Sequence, residues 1–270
     1  MTDAEPQFLT VGEGADERRI AYLESPGAPH MVPGLLWLPG LKSDMISTKA
    51  SYLAEWALKT GRPFLRFDYS GHGQSDGEFE ECTMGRWLED ALAVLERQAA
   101  GPQVLIGSSM GGWIALMILQ KLRDQGRKIS NHVCGAVLIA PAWNMTQDLM
   151  WERFDEKARK TIEEEGVYRW PSEYDDQPYA ITKALIEEGR KHLLDPTGLD
   201  PGCPVRIIQG QRDADVPWQH GLALVDLLTS DDVTLTLVKD AGHRLSRPQD
   251  LELIIREAEV LWEQARKGAV

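Results

Sequence analysis

The chain has 270 residues, 43% hydrophobic and 26% charged, with 29 basic against 42 acidic side chains and a net charge of −13. That is enough chain for one large α/β domain with an insertion, and the acidic balance argues against nucleic acid or an anionic membrane as the main partner. No apolar run approaches the roughly 18 residues of a membrane span, the acidic start Met1-Thr2-Asp3-Ala4-Glu5-Pro6 lacks the apolar segment of a secretory signal, and three scattered cysteines (Cys82, Cys134 and Cys203) predict reduced thiols, no metal-binding spacing and a cytoplasmic protein.

Phe8 to Val11 and Arg18 to Glu24 read as an opening pair of strands, turned by Gly12-Glu13-Gly14. Gly34 to Leu38 is a short apolar run, as in a buried strand, and it ends in Pro39-Gly40. From Ser47 to Lys59, Ala50, Leu53, Ala54, Ala57 and Leu58 recur at helical spacing, and Gly61 stops the helix. Pro63 to Phe67 is a further strand. It runs into Asp68-Tyr69-Ser70-Gly71-His72-Gly73-Gln74-Ser75-Asp76-Gly77, a loop expected to be structural, tight and held by side-chain hydrogen bonds near a pocket. Thr83 to Gln98 is helical, with Trp87, Leu88, Ala91, Leu92 and Leu95 on one face.

Gln103 to Ile106 is another buried strand, and Trp113 to Leu119 is too apolar for a surface helix. Cys134 to Pro141 is a strand of the same kind. Strands alternating with helices predict the α/β class: a mostly parallel sheet flanked by helices on both faces. The alternation then lapses for roughly sixty residues, too many for an ordinary connection. Trp151, Phe154, Ala158 and Ile162 keep helical spacing, as do Ile181, Ala184 and Leu185, so residues 142–200 are predicted as a helical cap on a core of 1–141 and 201–270. The pattern resumes with the strand Pro204 to Gln209, a helix from Pro217 to Leu228, the strand Val233 to Val238 and a closing helix from Pro248 to Arg266.

Between the strand at 103–106 and the helix at 113–119 lies Gly107-Ser108-Ser109-Met110-Gly111-Gly112, which contains G-x-S-x-G in the strand–turn–helix context of a nucleophile elbow. A serine at such an apex is driven toward positive φ, neighbouring backbone crowds it, and only glycine fits two residues to either side. The turn also presents the Met110 N–H at a helix N-terminus, where negative charge is favoured. A serine hydroxyl needs a base, and the base needs an orienting group. His243, in Ala241-Gly242-His243-Arg244, follows one predicted strand; Asp213 and Asp215, in Gly210-Gln211-Arg212-Asp213-Ala214-Asp215-Val216-Pro217, follow another. Ligands of open α/β sheets collect at those C-terminal strand ends. Asp213 is preferred as the acid on its G-x-x-D-x-x-V-P spacing, with Asp215 as a loop carboxylate or a helix N-terminal charge before Pro217. His30, His72, His132, His192 and His220 lack such placement and are read as structural or exposed.

These motifs resemble the α/β-hydrolase superfamily over essentially the whole chain. More narrowly, Leu38-Pro39-Gly40, Ser47-Thr48-Lys49-Ala50, Arg66-Phe67-Asp68-Tyr69-Ser70-Gly71 with Ser75-Asp76-Gly77, Gly107-Ser108-Ser109 with Gly111-Gly112-Trp113, and Asp213 with Val216-Pro217-Trp218 are similar to the mitochondrial acyl-protein thioesterase and acyl-glucuronide esterase branch and its bacterial relatives. The resemblance implies a Ser109–His243–Asp213 triad that cleaves ester or thioester bonds without a cofactor. It also implies a small-molecule or acyl-protein substrate, and an oxyanion hole from the N–H groups of Met110 and Leu41, the latter after Pro-Gly where many relatives have His-Gly. Trp143, Met145, Met150, Trp151 and Phe154 are candidates for an acyl pocket or for packing of the cap. The same triad also serves C–C bond hydrolases and acyltransferases, and the same fold serves ligand-binding receptors with little turnover.

Overall fold

The computed structural model describes residues 5–28, 32–97, 99, 101–171 and 177–268. The acidic start up to Ala4, the predicted helix end at Gln98, and His30 lie outside them. In chain order the first half contains β1 (Gln7–Val11), β2 (Arg18–Ser25), β3 (Gly34–Leu38), α1 (Thr48–Thr60), β4 (Phe64–Phe67) and α2 (Met84–Arg97). It continues with β5 (Gln103–Ser108), α3 (Met110–Asp124) and β6 (Val133–Ile139). After a π-helical turn at Met145–Trp151 come α4 (Glu156–Glu165), β7 (Val167–Trp170), β8 (Tyr179–Thr182) and α5 (Lys183–Gly189). The chain closes with β9 (Val205–Gly210), α6 (Trp218–Leu227), β10 (Val233–Val238) and α7 (Pro248–Gly268).

Eight strands form one sheet in the order β1-β2-β4-β3-β5-β6-β9-β10. The pairs β1–β2 and β2–β4 are antiparallel and the other five are parallel. The predicted mostly parallel sheet is therefore present, with one antiparallel edge. Both faces are buried, which explains the continuous apolar runs of the central strands. Side chains alternate between the faces. Leu36, Leu38, Leu105 and Leu138 pack with α2 and α3, while Leu35, Trp37, Val104, Ile106 and Val137 pack with α1 and α7.

The long connection between β6 and β9 is not wholly helical, as the sequence periodicity suggested. β7 and β8 pair antiparallel, Val167 with Thr182 through Trp170 with Tyr179. Their four residues each are too short to declare a period of two, and the aromatic side chains masked the change from helix to strand. Phe154 packs edge-on against Tyr168 and Trp170, so the hairpin and the preceding turn share one aromatic cluster.

The strand order turns back at β3, which lies between β4 and β5. Loops leaving adjacent strands diverge at such a switch point and open a crevice at the C-terminal edge. Backbone strain gathers at this edge. Among the described non-glycine residues, Lys42, Ser109, Ala140, Asn144 and Leu245 have positive φ, and all five lie in loops leaving β3, β5, β6 and β10. Each such residue costs on the order of 1 kcal/mol and persists only when its surroundings over-determine it.

Candidate active site

Ser109 sits between β5 and α3 at φ +53° and ψ −117°. Its N–H donates to the Ile139 carbonyl (2.8 Å), and its own carbonyl accepts from Gly112 and Ala142 N–H (2.9 and 3.1 Å). These bonds hold the turn against β6 and fix the serine in a conformation it would not choose. The flanking glycines are demanded by contact: a Cβ at Gly107 would lie 2.4 Å from the Gly111 carbonyl oxygen, and one at Gly111 only 2.0 Å from that of Leu38. Both obstacles are backbone and cannot rotate aside. Gly111→Ala should therefore lower folding stability by about 3 kcal/mol in urea unfolding, the upper range for overpacking. A loss below about 1 kcal/mol would mean that the elbow relaxes freely.

The structure brings the three predicted residues together. His243 Nε2 lies 3.0 Å from Ser109 Oγ, and His243 Nδ1 lies 2.8 Å from Asp213 Oδ2. The Asp213 carboxylate is fully buried. Its Oδ2 also accepts from Gln209 Nε2 (3.1 Å), and its Oδ1 accepts from the N–H groups of Asp215 and Val216 (3.0 and 2.8 Å). A carboxylate with that many donors is locked in orientation. Asp215 contributes backbone to this cradle and lines the adjacent cavity. The side-chain oxygens of both aspartates lie near enough to the His243 ring for the three to hold a metal ion. The hydrogen bonds of Asp213 and His243 instead join them to each other and to Ser109. Gln209 is a hydrogen-bonding neighbour of Asp213 that the sequence analysis did not single out. The signal was available, because it is a buried polar residue that follows Ile207-Ile208 near the end of β9, directly before the loop that carries Asp213.

The loop after β3 lies against Ser109: a Cβ at Gly40 would be 3.4 Å from Ser109 Cβ. Leu41 lines the cavity beside Ser109 and His243, and Met110 is the first residue of α3. The Lys42 N–H, one residue on, donates to His72 Nε2 (3.1 Å). His72 is thus a buried structural histidine within reach of the site. Burial drives its pKa down to about 4, which keeps the ring neutral.

A cavity of about 370 Å³ opens beside Ser109. Its lining includes the apolar Met145, Leu149, Met150, Trp170 and Tyr179 and the basic Lys42, Lys49 and Arg244. Of the five candidate pocket residues, Met145 and Met150 line it. Trp143, Trp151 and Phe154 are engaged elsewhere, which corrects that expectation. Trp143 stacks on His220 at 4.4 Å and donates to its carbonyl (3.0 Å). Trp151 carries the guanidinium groups of Arg159 and Arg190. Phe154 faces the hairpin. The hairpin supplies the missing aromatic wall, Trp170 and Tyr179, which helical periodicity could not have singled out. Lys49 reaches across the cavity rim to the Arg244 carbonyl (2.5 Å), and burial with the nearby Arg244 charge lowers its pKa to about 8.

Comparison with known proteins agrees with this architecture. A family model described as "Alpha/beta hydrolase family" matches residues 26–252. A Bos taurus protein named palmitoyl-protein thioesterase ABHD10, mitochondrial, is 34% identical over 265 residues, covering 94% of this chain and 83% of its own. Among solved structures, a putative hydrolase from Agrobacterium vitis S4 is 45% identical with a TM-score of 0.90, covering 95% of this chain and 98% of that one. Mouse alpha/beta hydrolase domain-containing protein 10 is 33% identical with a TM-score of 0.83, covering 97% and 99%. The bovine, mouse and human relatives are all named mitochondrial, which overturns the expectation of a cytoplasmic protein. The inference failed because free thiols report a reducing environment and carry no information about which compartment provides it. On the family match, these relatives and the shared fold, the chain belongs to the alpha/beta hydrolase family.

Proposed function

We propose that this chain is a serine hydrolase of acyl esters and thioesters that works through an acyl-enzyme on Ser109. The observation that carries the reading is the unbroken chain Ser109 Oγ–His243–Asp213 Oδ2, at 3.0 and 2.8 Å, opening onto a half-apolar cavity. With Asp213 accepting from Nδ1–H, His243 Nε2 is left as the acceptor that takes the serine proton. Oγ then attacks the acyl carbonyl carbon, and the carbonyl π electrons move onto oxygen. The Leu41 and Met110 N–H groups stabilise that oxyanion. On collapse, the alcohol or thiol departs with the proton from His243. Water, deprotonated by the same nitrogen, then attacks the acyl-enzyme and releases the carboxylic acid and free Ser109. Residues 142–200 act as a cap whose Met145, Leu149, Met150, Trp170 and Tyr179 hold the acyl chain. Methionine and aromatic walls suit a flexible chain. The bovine and mouse relatives, named palmitoyl-protein thioesterases, support an acyl thioester as one substrate class.

The test is a series of p-nitrophenyl esters and matching thioesters from acetyl to palmitoyl. The expected result is turnover of both series with kcat/KM rising by about 10-fold or more from acetyl to its optimum, since each buried methylene is worth about 0.8 kcal/mol. A flat profile would remove the acyl pocket from the reading. No turnover of any member would remove ester and thioester hydrolysis.

A further inference from the structure

The residues that line the cavity beside Ser109 include Gly40, Leu41 and Lys42 and none of the loop from Asp68 to Gly77, yet that loop holds this segment. His72 is 5% exposed and enclosed by the rings of Tyr69, Phe79 and Trp87. Its two nitrogens have opposite duties. Nδ1 faces the Ser70 carbonyl at 3.0 Å and must donate; Nε2 meets the Lys42 N–H at 3.1 Å and must accept. Only the neutral ring protonated on Nδ1 satisfies both. The ring is itself anchored, because Ser70 N–H and Oγ donate to buried Asp90 (2.9 and 2.7 Å), which pairs with Arg18. Asp68 ties the other end of the same segment by accepting from the Met45 N–H at 2.7 Å. Between these ties, Lys42 is held at φ +57°, a conformation a lysine does not keep unaided. Its side chain lies over the Phe79 ring with Nζ 4.1 Å from the centroid, so its backbone is tied to this loop and its head group to the turn that follows it.

We propose that His72 is a positioning residue for oxyanion stabilisation: by accepting the Lys42 N–H it holds the Gly40–Lys42 turn in the one orientation that aims the Leu41 N–H at the developing oxyanion on the Ser109 adduct. This rests on the catalytic reading above. The energetic logic is that an oxyanion donor acts only if it is already aimed when charge develops, and Leu41 adjoins a strained peptide whose tie comes from thirty residues away. Without the imidazole acceptor, Lys42 is free to leave the left-handed region, and the Leu41–Lys42 peptide rotates with it.

His72→Phe keeps the aromatic cage and removes the acceptor; His72→Gln restores an acceptor close to the Nε2 position. The expected result for His72→Phe is a kcat reduced by about 10²-fold, the order of a lost oxyanion donor, with KM within about threefold, and with His72→Gln recovering at least a tenth of the wild-type rate. Octylboronic acid, which forms a tetrahedral adduct on serine, should lose affinity in proportion to kcat/KM, whereas 1-octanol, which only fills the acyl side, should not. Circular dichroism and thermal unfolding establish that each variant is folded at the assay temperature. A Phe variant as active as wild type would overturn the proposal. So would one that loses octanol and octylboronate affinity equally, since that is a collapsed pocket. If wild type shows no serine-dependent turnover, the catalytic reading fails separately, and hydrogen exchange at residues 41–45 decides the tie. Faster exchange at the Lys42 amide in His72→Phe supports it, and unchanged exchange overturns it.

Discussion

Ser109→Ala is expected to lower kcat by 10⁴- to 10⁶-fold on the most reactive nitrophenyl ester, the order seen when a serine nucleophile is removed from an intact site. That loss corresponds to roughly 5–8 kcal/mol of transition-state stabilisation. The change removes one oxygen and leaves the Cβ, so the φ of +53° is as strained for alanine as for serine and the elbow hydrogen bonds through the backbone persist. Stability should therefore stay within about 0.5 kcal/mol of wild type, as for a substitution that disturbs no packing. A fluorophosphonate should label one equivalent of wild type and none of the variant. Turnover within tenfold of wild type would show that acyl transfer does not pass through Ser109. The same rate loss accompanied by a large drop in stability would point to a damaged fold rather than a missing nucleophile.

Asp213→Asn should cost about 10⁴-fold in kcat, near 5 kcal/mol, while Asp215→Asn should cost no more than about tenfold. The two carboxylates are close in sequence, and both side chains lie near His243, so the experiment discriminates where sequence spacing alone only ranks them. Asp213 is the one whose oxygen meets Nδ1, at 2.8 Å, and its remaining lone pairs are taken by Gln209 and by the backbone N–H groups of Asp215 and Val216. An amide at 213 can turn its NH₂ toward Nδ1, which moves the ring hydrogen to Nε2 and leaves nothing to accept the serine proton. Because the geometry is retained in that picture, KM should move far less than kcat. A larger loss for Asp215→Asn than for Asp213→Asn would reverse the assignment of the acid.

The chain-length series and the octanol and octylboronate comparison address acyl binding and oxyanion stabilisation separately. On the proposed reading, substitutions among Met145, Leu149, Met150, Trp170 and Tyr179, which line the cavity, should move KM and chain selectivity, whereas loss of the His72 tie to Lys42 should move kcat. Fold membership does not supply this partition, since many activities share one scaffold.

How much was legible in the sequence depends on how local each cause is. The elbow, its flanking glycines, the Met110 helix start and the order serine, acid, histidine were readable because each is a constraint within a few residues: a positive φ, a Cβ with no room, a loop after a strand. The parallel sheet was readable because double-sided burial leaves continuous apolar runs in β3, β5 and β6. The β7–β8 hairpin was not, because four-residue strands rich in aromatics satisfy a helical spacing as well as an alternating one. Trp170 and Tyr179 reach the cavity only through that hairpin, and Trp143, Trp151 and Phe154 are drawn off by His220, two arginines and Tyr168. His72 read as structural, which it is. Its tie to Lys42 joins residues thirty apart, and no local pattern encodes which backbone N–H a buried imidazole will meet. The sequence by itself thus determined the candidate residues Ser109, Asp213 and His243 and the strand ends that present them, since those follow from local sterics and hydrophobic periodicity. Tertiary structure alone decided which side chains wall the cavity and which hydrogen bonds hold the loops around Ser109, since those follow from the packing of segments that the chain brings together only on folding.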